Sequence, residues 1–254
     1  MNIPLFPFFG NKDREISSIM NNLPVMTDID TIIEPYCGSF SLIRHLLLLY
    51  PDKKYICNDN DKDLIDCYKA VQADDSCSEL INFFQNFEIR NKQHYDEFKK
   101  EGSVRSFLFS HIVYSIRNGM YDKNKHKLND RDIIRLTHFN KAYKNVEFIC
   151  GDASVIIDKY KNDKTCFMFL DPPFLMQCSF YKLPMLDSYI ELVKNIADIS
   201  AKILGVCGEH FLMTFFYEHY KIEIKFETHI RYRGHKNNIH KNIYVANYSK
   251  NEAS

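Results

Sequence analysis

The decapeptide TCFMFLDPPF, residues 165–174, joins a strand to an abrupt turn and decides how the rest of the chain is interpreted. Its first six residues are apolar or favour extended backbone, which predicts a buried strand. Two consecutive prolines then end that strand, because neither has an N–H group to donate to a sheet. The turn therefore sets Asp171, a stiff proline carbonyl and an aromatic ring at the carboxyl end of a strand, where open α/β sheets bind their ligands.

A planar amine at this edge can donate hydrogen bonds to the Asp171 carboxylate and the Pro172 carbonyl while it stacks on Phe174. These three residues are the candidate catalytic residues, and the favoured interpretation is a site that methylates the amine of adenine. The alternative is an ordinary strand exit in which Asp171 caps the turn. The sequence has no G-x-x-x-x-G-K-S/T phosphate loop, which argues against an NTPase.

Length and composition favour a globular protein with one large domain, or one domain with a sizeable insertion. The chain has 254 residues, of which 45% are hydrophobic and 26% charged. Lys+Arg and Asp+Glu both number 33, so the net charge is zero. A nucleic-acid partner would therefore have to be bound by a local basic patch.

The cysteines and the terminal segment favour an intracellular protein, cytoplasmic or acting in a host cell if phage- or virus-encoded. The eight cysteines include no C-x-x-C pair, so no metal site is expected, and several lie in apolar runs typical of a reducing compartment. Residues 1–10 lack the basic lead of a signal peptide. The longest apolar run, Leu46–Tyr50, is too short for a membrane span, and no membrane partner is expected.

Strands and helices alternate on both sides of a mainly helical block, residues 74–144. This order predicts a mostly parallel α/β sheet interrupted by an inserted lobe. Residues 118–128 are predicted to form an exposed basic loop or hairpin. The predicted strands are 31–34, 54–57, 146–150, 165–170, 203–207, about 221–231 and 242–248, and the predicted helices are 39–50, 61–71, 76–87, 103–117, 129 or 130 to about 143, 153–160 and 187–200.

The ends of the first two predicted strands carry residues suited to a nucleotide-like ligand. Gly38, in EPYCGS at 34–39, permits a tight turn, although a simple strand–helix turn needs the same glycine. Asp59 stands 21 positions after Gly38, where a carboxylate suits a pair of ribose hydroxyls. Asp61 is assigned to capping the next helix, which is also the alternative role for Asp59.

Three further sites are each open to two interpretations. Asp152, after the strand at 146–150, can accept from the adenine amine of a cofactor or cap the next helix. Phe9 and Lys12 can close over that cofactor, with Lys12 meeting its carboxylate, or belong to a hydrophobic N-terminal staple. The loop lysines and the acid-free segment 229–241 form either a phosphate-binding groove or a solvated face; the candidate DNA contacts there are Lys123, Lys125, Lys127, Arg231, Arg233 and Lys236.

In order along the chain, these segments resemble the Dam-type, D12 class DNA adenine-N6 methyltransferases, which use S-adenosylmethionine. The resemblance covers nearly the whole chain. Asn58-Asp59, followed by Leu64 and Tyr68, resembles the ribose-binding strand end and its helix. The other matching segments are Phe9-Gly10-Asn11-Lys12 for F-G-x-K, Glu34-Pro35-Tyr36-Cys37-Gly38 for the E-P-F-x-G cofactor turn, Asp171-Pro172-Pro173-Phe174 for D-P-P-Y/F, and Asn242 to Tyr248 for the closing strand.

The resemblance implies a Rossmann-like methyltransferase sheet with an antiparallel C-terminal hairpin. It implies an S-adenosylmethionine-binding catalytic domain, residues 1–73 and 145–254, and a helical lobe at 74–144 that recognises double-stranded DNA. A flipped-out adenine would be methylated at N6. It also implies that Glu34 and Tyr36 bind the cofactor with Phe9, Lys12, Gly38, Asp59 and Asp152. A homodimer and a restriction-enzyme companion are the further partners left open.

Three positions depart from the family pattern. Phe174 replaces the commoner Tyr, which keeps the stacking face and removes the hydroxyl. Phe40 stands where many members have a second Gly in the cofactor turn. Arg117 and Asn118 begin a stretch that only loosely resembles the base-reading hairpin; they are candidate DNA contacts, and GATC recognition is not carried over.

Two other functions are weighed against DNA methylation. One is a methyltransferase for RNA or another substrate with a D-P-P-F turn, although such enzymes usually lack the long helical lobe. The other is an inactive DNA-binding partner subunit of the same fold, which the Phe40 and Phe174 departures and the neutral charge keep open.

Overall fold

Seven strands form a single sheet in the computed structural model, which describes residues 4–5, 11–114, 121–173, 199–208, 219, 223–231 and 239–248. The order across the sheet is β3-β2-β1-β4-β5-β7-β6. The strands are β1 Thr31–Glu34, β2 Lys54–Asp59, β3 Val146–Cys150, β4 Cys166–Leu170, β5 Lys202–Gly208, β6 Glu223–Arg231 and β7 Ile239–Ala246.

The sheet is mostly parallel, as predicted, with an antiparallel pair at its C-terminal side. Strands β1 to β5 pair in parallel, and β1 lies between β2 and β4, with Ile33 opposite both Ile56 and Met168. Strand β7 runs antiparallel to both β5 and β6. Strands β1 and β4 are buried along their whole length, which explains their continuous apolar sequences. The expected α/β class, with a mostly parallel sheet and an antiparallel C-terminal pair, is confirmed.

Eight α-helices occur in the described residues, with short 3-10 turns at Lys12–Arg14 and Met26–Asp28. Polar caps begin several of them: the side chains of Asp61, Asn91, Ser103 and Asn129 accept from backbone N–H groups of the first turn. The helices are α1 Ile16–Met20, α2 Ser41–Leu49, α3 Lys62–Gln72, α4 Asp74–Asn86, α5 Lys92–Lys100, α6 Val104–Val113, α7 Asp130–Ala142 and α8 Ala153–Tyr160.

Most predicted elements are found within a few residues of their expected bounds, and β1, β3 and α8 match them. Helix α6 ends at Val113 instead of Arg117, and β2 continues to Asp59. Helix α5 was not predicted, because only Tyr95 and Phe98 of its residues are buried. The described part of the basic loop, residues 121–128, contains no strand. The helix predicted at 187–200 lies outside the described residues except for its last two, which are not helical.

The helical block is joined to the sheet by an aromatic cluster. Phe139 of α7 stacks on Tyr68 of α3, with ring centroids 5.4 Å apart, and on Phe148 of β3 at 6.1 Å. Helices α4 to α7 therefore share one continuous apolar core with this side of the sheet. The division into a catalytic domain and a lobe at 74–144 that recognises DNA stays a prediction.

None of the helices in the described ranges is long and apolar enough to cross a membrane. The same residues hold no group of three or more His, Cys, Asp or Glu side chains suited to a metal ion.

Candidate active site

The carboxyl ends of β1, β2 and β4 meet at the point where the strand order reverses. From the central strand β1, the chain adds β2 and β3 on one side and β4 and β5 on the other. A crevice at such a switch point is the usual ligand site of an open α/β sheet. Gly38 follows β1, Asp59 ends β2 and Asp171 follows β4, so three of the predicted site residues converge at one edge.

A carboxylate holds the turn after β1. Gly38 has a φ of 44°, a left-handed conformation that glycine adopts without a steric penalty. Its N–H donates to Asp59 Oδ2 at 2.9 Å, and the N–H of Asp61 donates to Asp59 Oδ1 at 3.0 Å. Tyr68 Oη donates to the Gly38 carbonyl at 2.7 Å. Burial raises the pKa of Asp59, and these backbone donors oppose that rise.

Phe40 occupies the left-handed region with φ 40° and ψ 51°, the only non-glycine residue with positive φ among those described. Such a conformation costs a non-glycine residue about 1–3 kcal/mol. The ring is 1% exposed and makes edge contacts with Tyr68 at 5.1 Å and Tyr143 at 5.2 Å. Burial of the ring offsets the strain, so a position suited to glycine can hold a phenylalanine.

Glu34 is buried beneath the turn after β1 and binds the start of α2. Its side chain is 3% exposed, and Oε1 accepts from the Ile43 N–H at 2.6 Å. This bond satisfies an N–H in the first turn of α2, where Phe40 supplies no side-chain cap. Burial raises the pKa of Glu34 to about 8. The structure thus shows Glu34 buried beneath the turn and bonded to α2, and its assignment to the cofactor stays a prediction.

Lys12 lies against Asp171. The two side chains are 5% and 21% exposed, and Lys12 Nζ is 2.6 Å from Asp171 Oδ2. Burial raises the pKa of Asp171, and the Lys12 charge lowers it. The structure pairs the Lys12 ammonium with the candidate catalytic residue. The predicted contact of Lys12 with the carboxylate of the cofactor stays a prediction. The Asp171 carboxylate is partly exposed.

The remaining acidic and aromatic candidates follow the carboxyl ends of β1, β2 and β3. Asp152 is exposed and caps α8, since its Oδ1 accepts from the Ser154 N–H at 2.8 Å. Asp61 caps α3, as predicted, by accepting from the Leu64 N–H at 3.1 Å. Tyr36 is half-buried, and burial together with Asp152 raises its pKa to about 12.

The loop lysines differ in what they contact. Lys123 and Lys127 are exposed, whereas Lys125 Nζ donates to the Val113 carbonyl at the end of α6, at 3.1 Å. Tyr114 Oη donates to the Lys125 carbonyl at 2.8 Å, which fixes the same loop. Arg231 ends β6. The other predicted contacts lie outside the described residues: Phe9, Phe174, Arg117, Asn118, Arg233 and Lys236.

Glu15 is a buried acid near the site that was not predicted from the sequence. It is 4% exposed, and Asn242 Nδ2 donates to both of its carboxylate oxygens, at 3.0 and 3.1 Å. Tyr244 Oη donates to Oε2 at 2.7 Å, and the Thr228 hydroxyl also donates to Oε2. No local signal could have found this cluster, because its partners lie more than 200 residues along the chain.

Two further buried polar residues hold segments next to the site. Their contacts were not predicted from the sequence. Asn58, 1% exposed, donates through Nδ2 to the Pro35 carbonyl at 2.9 Å and to the Gly151 carbonyl at 3.0 Å. Arg44, also 1% exposed, pairs with Asp13 at 2.7 Å and thereby holds the N-terminal turn against α2.

Comparison with models of protein families matches residues 8–203 to the D12 class N6 adenine-specific DNA methyltransferases. The match runs through the helical block and includes the ends of β1, β2 and β4. The chain therefore belongs to this family of enzymes, which methylate the N6 amine of adenine in DNA, and DNA adenine methylation is its activity.

Two curated relatives carry related names. The type II methyltransferase M.MjaIII of Methanocaldococcus jannaschii is 30% identical over 204 residues, which cover 67% of this chain and 68% of the relative. The type II methyltransferase M.CviBI of Paramecium bursaria Chlorella virus NC1A is 24% identical over 256 residues, covering 93% and 94%.

Among solved structures, the precorrin-6y C5,15-methyltransferase of Geobacter metallireducens GS-15 is 10% identical. The likeness covers 95% of this chain and 92% of that one, with a TM-score of 0.40. A structural similarity with so low a TM-score carries no argument about function. The activity follows from the family match, which favours DNA over the RNA alternative.

Proposed function

We propose that the crevice between β1, β2 and β4 binds S-adenosylmethionine beside a target adenine, and that Asp171 holds the amine of that adenine. The observation that carries this proposal is the convergence of Gly38, Asp59 and Asp171 at one edge of the sheet. The site unites a tight glycine turn, a carboxylate for hydroxyl groups and a second carboxylate for an amine.

The residues around the first turn suit the chemistry of S-adenosylmethionine. Each carboxylate oxygen of Asp59 accepts one backbone N–H and retains acceptor capacity for a ribose hydroxyl. The half-buried Tyr36 ring offers an apolar face, and Gly38 allows close approach of the ligand. Phe9 and the exposed Asp152 complete the proposed set. When bound, S-adenosylmethionine supplies an electrophilic methyl group.

Asp171 orients the nucleophile. An adenine amine is a poor nucleophile because its lone pair is delocalised into the ring. Hydrogen bonds from its two N–H groups to Asp171 Oδ1 and the Pro172 carbonyl favour a tetrahedral nitrogen and direct the lone pair toward the methyl group. The contribution is positioning and preorganised electrostatics, and no covalent enzyme intermediate is required.

Lys12 keeps Asp171 in the state that this role requires. An ionised carboxylate accepts from an amine N–H more strongly than a neutral carboxyl does, and burial opposes ionisation of Asp171. The Lys12 ammonium at 2.6 Å from Oδ2 compensates and leaves Oδ1 for the substrate. We therefore assign Lys12 a role at Asp171, beside its predicted contact with the carboxylate of S-adenosylmethionine.

The helical block and the C-terminal hairpin would contact DNA. Lys123 and Lys127 are exposed at the loop between α6 and α7, where they suit phosphate groups. Lys125, the third predicted contact in this loop, also holds the loop by donating to the Val113 carbonyl. The sequence adds further candidate contacts that extend this surface: Arg117, Asn118, Arg231, Arg233 and Lys236. Six of the described cysteines are free thiols, and we therefore place the enzyme in a reducing, intracellular compartment. They are Cys37, Cys57, Cys67, Cys77, Cys150 and Cys166.

A duplex adenine must leave the base stack to reach Asp171, at a cost of a few kcal/mol, part of which stacking on Phe174 would recover. Methylation of a random duplex library followed by mapping of modified adenines identifies the target. With 2-aminopurine in place of that adenine, we expect enzyme binding to raise the fluorescence several-fold. A 2-aminopurine two positions away serves as the control. Unchanged fluorescence at the target in a saturated complex would refute base flipping.

Asp59→Ala tests the cofactor half of the site. We expect the affinity for S-adenosylmethionine to fall about 10- to 100-fold, since hydrogen bonds to a charged group contribute roughly 1.5–3 kcal/mol. Isothermal titration calorimetry measures the change. Asp61→Ala is the matched control: it removes a helix cap and leaves the affinity within about threefold. Equal affinities of the Asp59 variant and the unmodified protein would exclude Asp59 from the site.

A further inference from the structure

Glu15 is a buried carboxylate that joins the N-terminal turn to both C-terminal strands. We propose that Glu15 is a positioning residue for methyl transfer, which fixes Lys12 against Asp171 by binding β6 and β7. The inference rests on the proposed role of Asp171. Glu15 itself contacts neither the substrate nor the reacting atoms.

The three donors to Glu15 lie on one face of the antiparallel pair. Thr228 of β6 is opposite Asn242 of β7, and Tyr244 is two residues along β7, so all three side chains project from the same face. Asn242 and Tyr244 are buried with Glu15. A buried carboxylate that accepts from three side chains has a strongly preferred position, because any displacement leaves charged acceptor atoms unsatisfied.

The same turn carries the ammonium that meets Asp171. The Glu15 N–H donates to the Lys12 carbonyl at 2.8 Å, so the two residues belong to one hydrogen-bonded turn. The Lys12 N–H in turn donates to Ser41 Oγ at 3.3 Å, at the start of α2. The Lys12 backbone is therefore held between α2 and the Glu15 anchor, and its ammonium reaches Asp171 Oδ2.

This arrangement connects the closing strands to the catalytic turn after β4. Strand β7 pairs with β5, and β5 pairs with β4, so the sheet fixes where Asp171 lies. Glu15 binds side chains of β6 and β7 and thereby holds the N-terminal turn against the same sheet. Loss of the anchor should leave the sheet formed while the distance between the Lys12 ammonium and Asp171 becomes variable.

The test uses Glu15→Gln and the milder Tyr244→Phe in the full chain. With saturating DNA and S-adenosylmethionine, we expect the single-turnover rate of methyl transfer to fall about tenfold or more for Glu15→Gln, with a smaller loss for Tyr244→Phe. Affinity for S-adenosylmethionine, measured by calorimetry, should stay within about threefold. A structural role alone would lower the melting temperature without lowering the rate per folded molecule, and that result would overturn the proposal.

Tyr248→Phe is the matched control. Tyr248 is buried just beyond β7, and its hydroxyl donates to the Asn22 carbonyl at 2.8 Å, away from Glu15. The rate for this variant should match that of the unmodified protein. A loss equal to that of Tyr244→Phe would overturn the proposal. If Glu15→Gln does not fold, Tyr244→Phe and Thr228→Val carry the same comparison.

A double-mutant cycle separates this inference from the proposed function. If Glu15 acts through Lys12, adding Glu15→Gln to Lys12→Met should lower the rate by much less than it does in the unmodified protein. Fully additive losses would overturn the positioning role. Failure of the role of Asp171 would be seen independently, as a normal rate in Asp171→Asn.

Discussion

Replacing Asp171 by asparagine is expected to lower the single-turnover rate of methyl transfer by at least about a hundredfold. Asparagine keeps the shape of the side chain, and its carbonyl oxygen can still accept from Lys12. Its amide N–H groups, however, oppose the amine of the target adenine in place of an acceptor. The affinity for S-adenosylmethionine should stay within about threefold, because the lost contacts are to the base.

Asp163→Asn is the control for this prediction. Asp163 precedes β4 and accepts from the Thr165 N–H at 2.9 Å, so it lies at the opposite end of the same strand. The control variant should retain the normal rate. A rate for Asp171→Asn within a few fold of the unmodified protein would remove Asp171 from the chemistry, whatever the affinity.

Replacing Phe40 is expected to have the largest effect on stability. Phe40→Ala should lower the free energy of unfolding by about 3–5 kcal/mol, because the ring packs against Tyr68, Phe139, Tyr143 and Phe148. Phe40→Gly should cost about 1 kcal/mol less than Phe40→Ala, since glycine relieves the left-handed conformation. Denaturant unfolding of both variants measures the difference.

The order of stability is the informative result. At Phe109, which is fully buried within α6, the glycine variant should instead be the less stable by about 1 kcal/mol, as in other helix interiors. An alanine variant at position 40 that is more stable than the glycine variant would contradict the strained conformation of the turn.

The sheet and the Asp171 turn could be predicted because their signals are local. Strand β4 is an uninterrupted apolar run that ends in two prolines, and both properties are visible in ten residues. Gly38 and Asp59 follow neighbouring strands at a spacing typical of nucleotide-binding turns, and they meet in the structure. The family resemblance was confirmed by the match over residues 8–203.

The contacts of Lys12 and Glu15 could not be predicted from local pattern. The partner of Lys12 is 159 residues away, and the side-chain partners of Glu15 are 213 to 229 residues away. An acid three residues after a lysine at a helix start looks like an ordinary surface turn. Glu15 becomes a buried anchor only because the sheet order brings β7 beside β5.

The backbone conformation of Phe40 could not be predicted from local sequence either. The sequence marked it as a departure from a glycine pattern, but its left-handed backbone depends on a pocket built from α3, α7 and β3. Tertiary packing at this position overrides the preference of the residue for negative φ.

Two carboxylates at the same strand ends have separate roles in the proposed mechanism: Asp59 binds S-adenosylmethionine, and Asp171 binds the target adenine. The most direct measurement compares the single-turnover rate at saturating S-adenosylmethionine for Asp171→Asn and Asp59→Ala. For Asp171→Asn we expect the rate to be lowered at least about a hundredfold. For Asp59→Ala we expect a rate near normal once S-adenosylmethionine is saturating. A normal rate for Asp171→Asn, with the loss confined to Asp59→Ala, would contradict these roles.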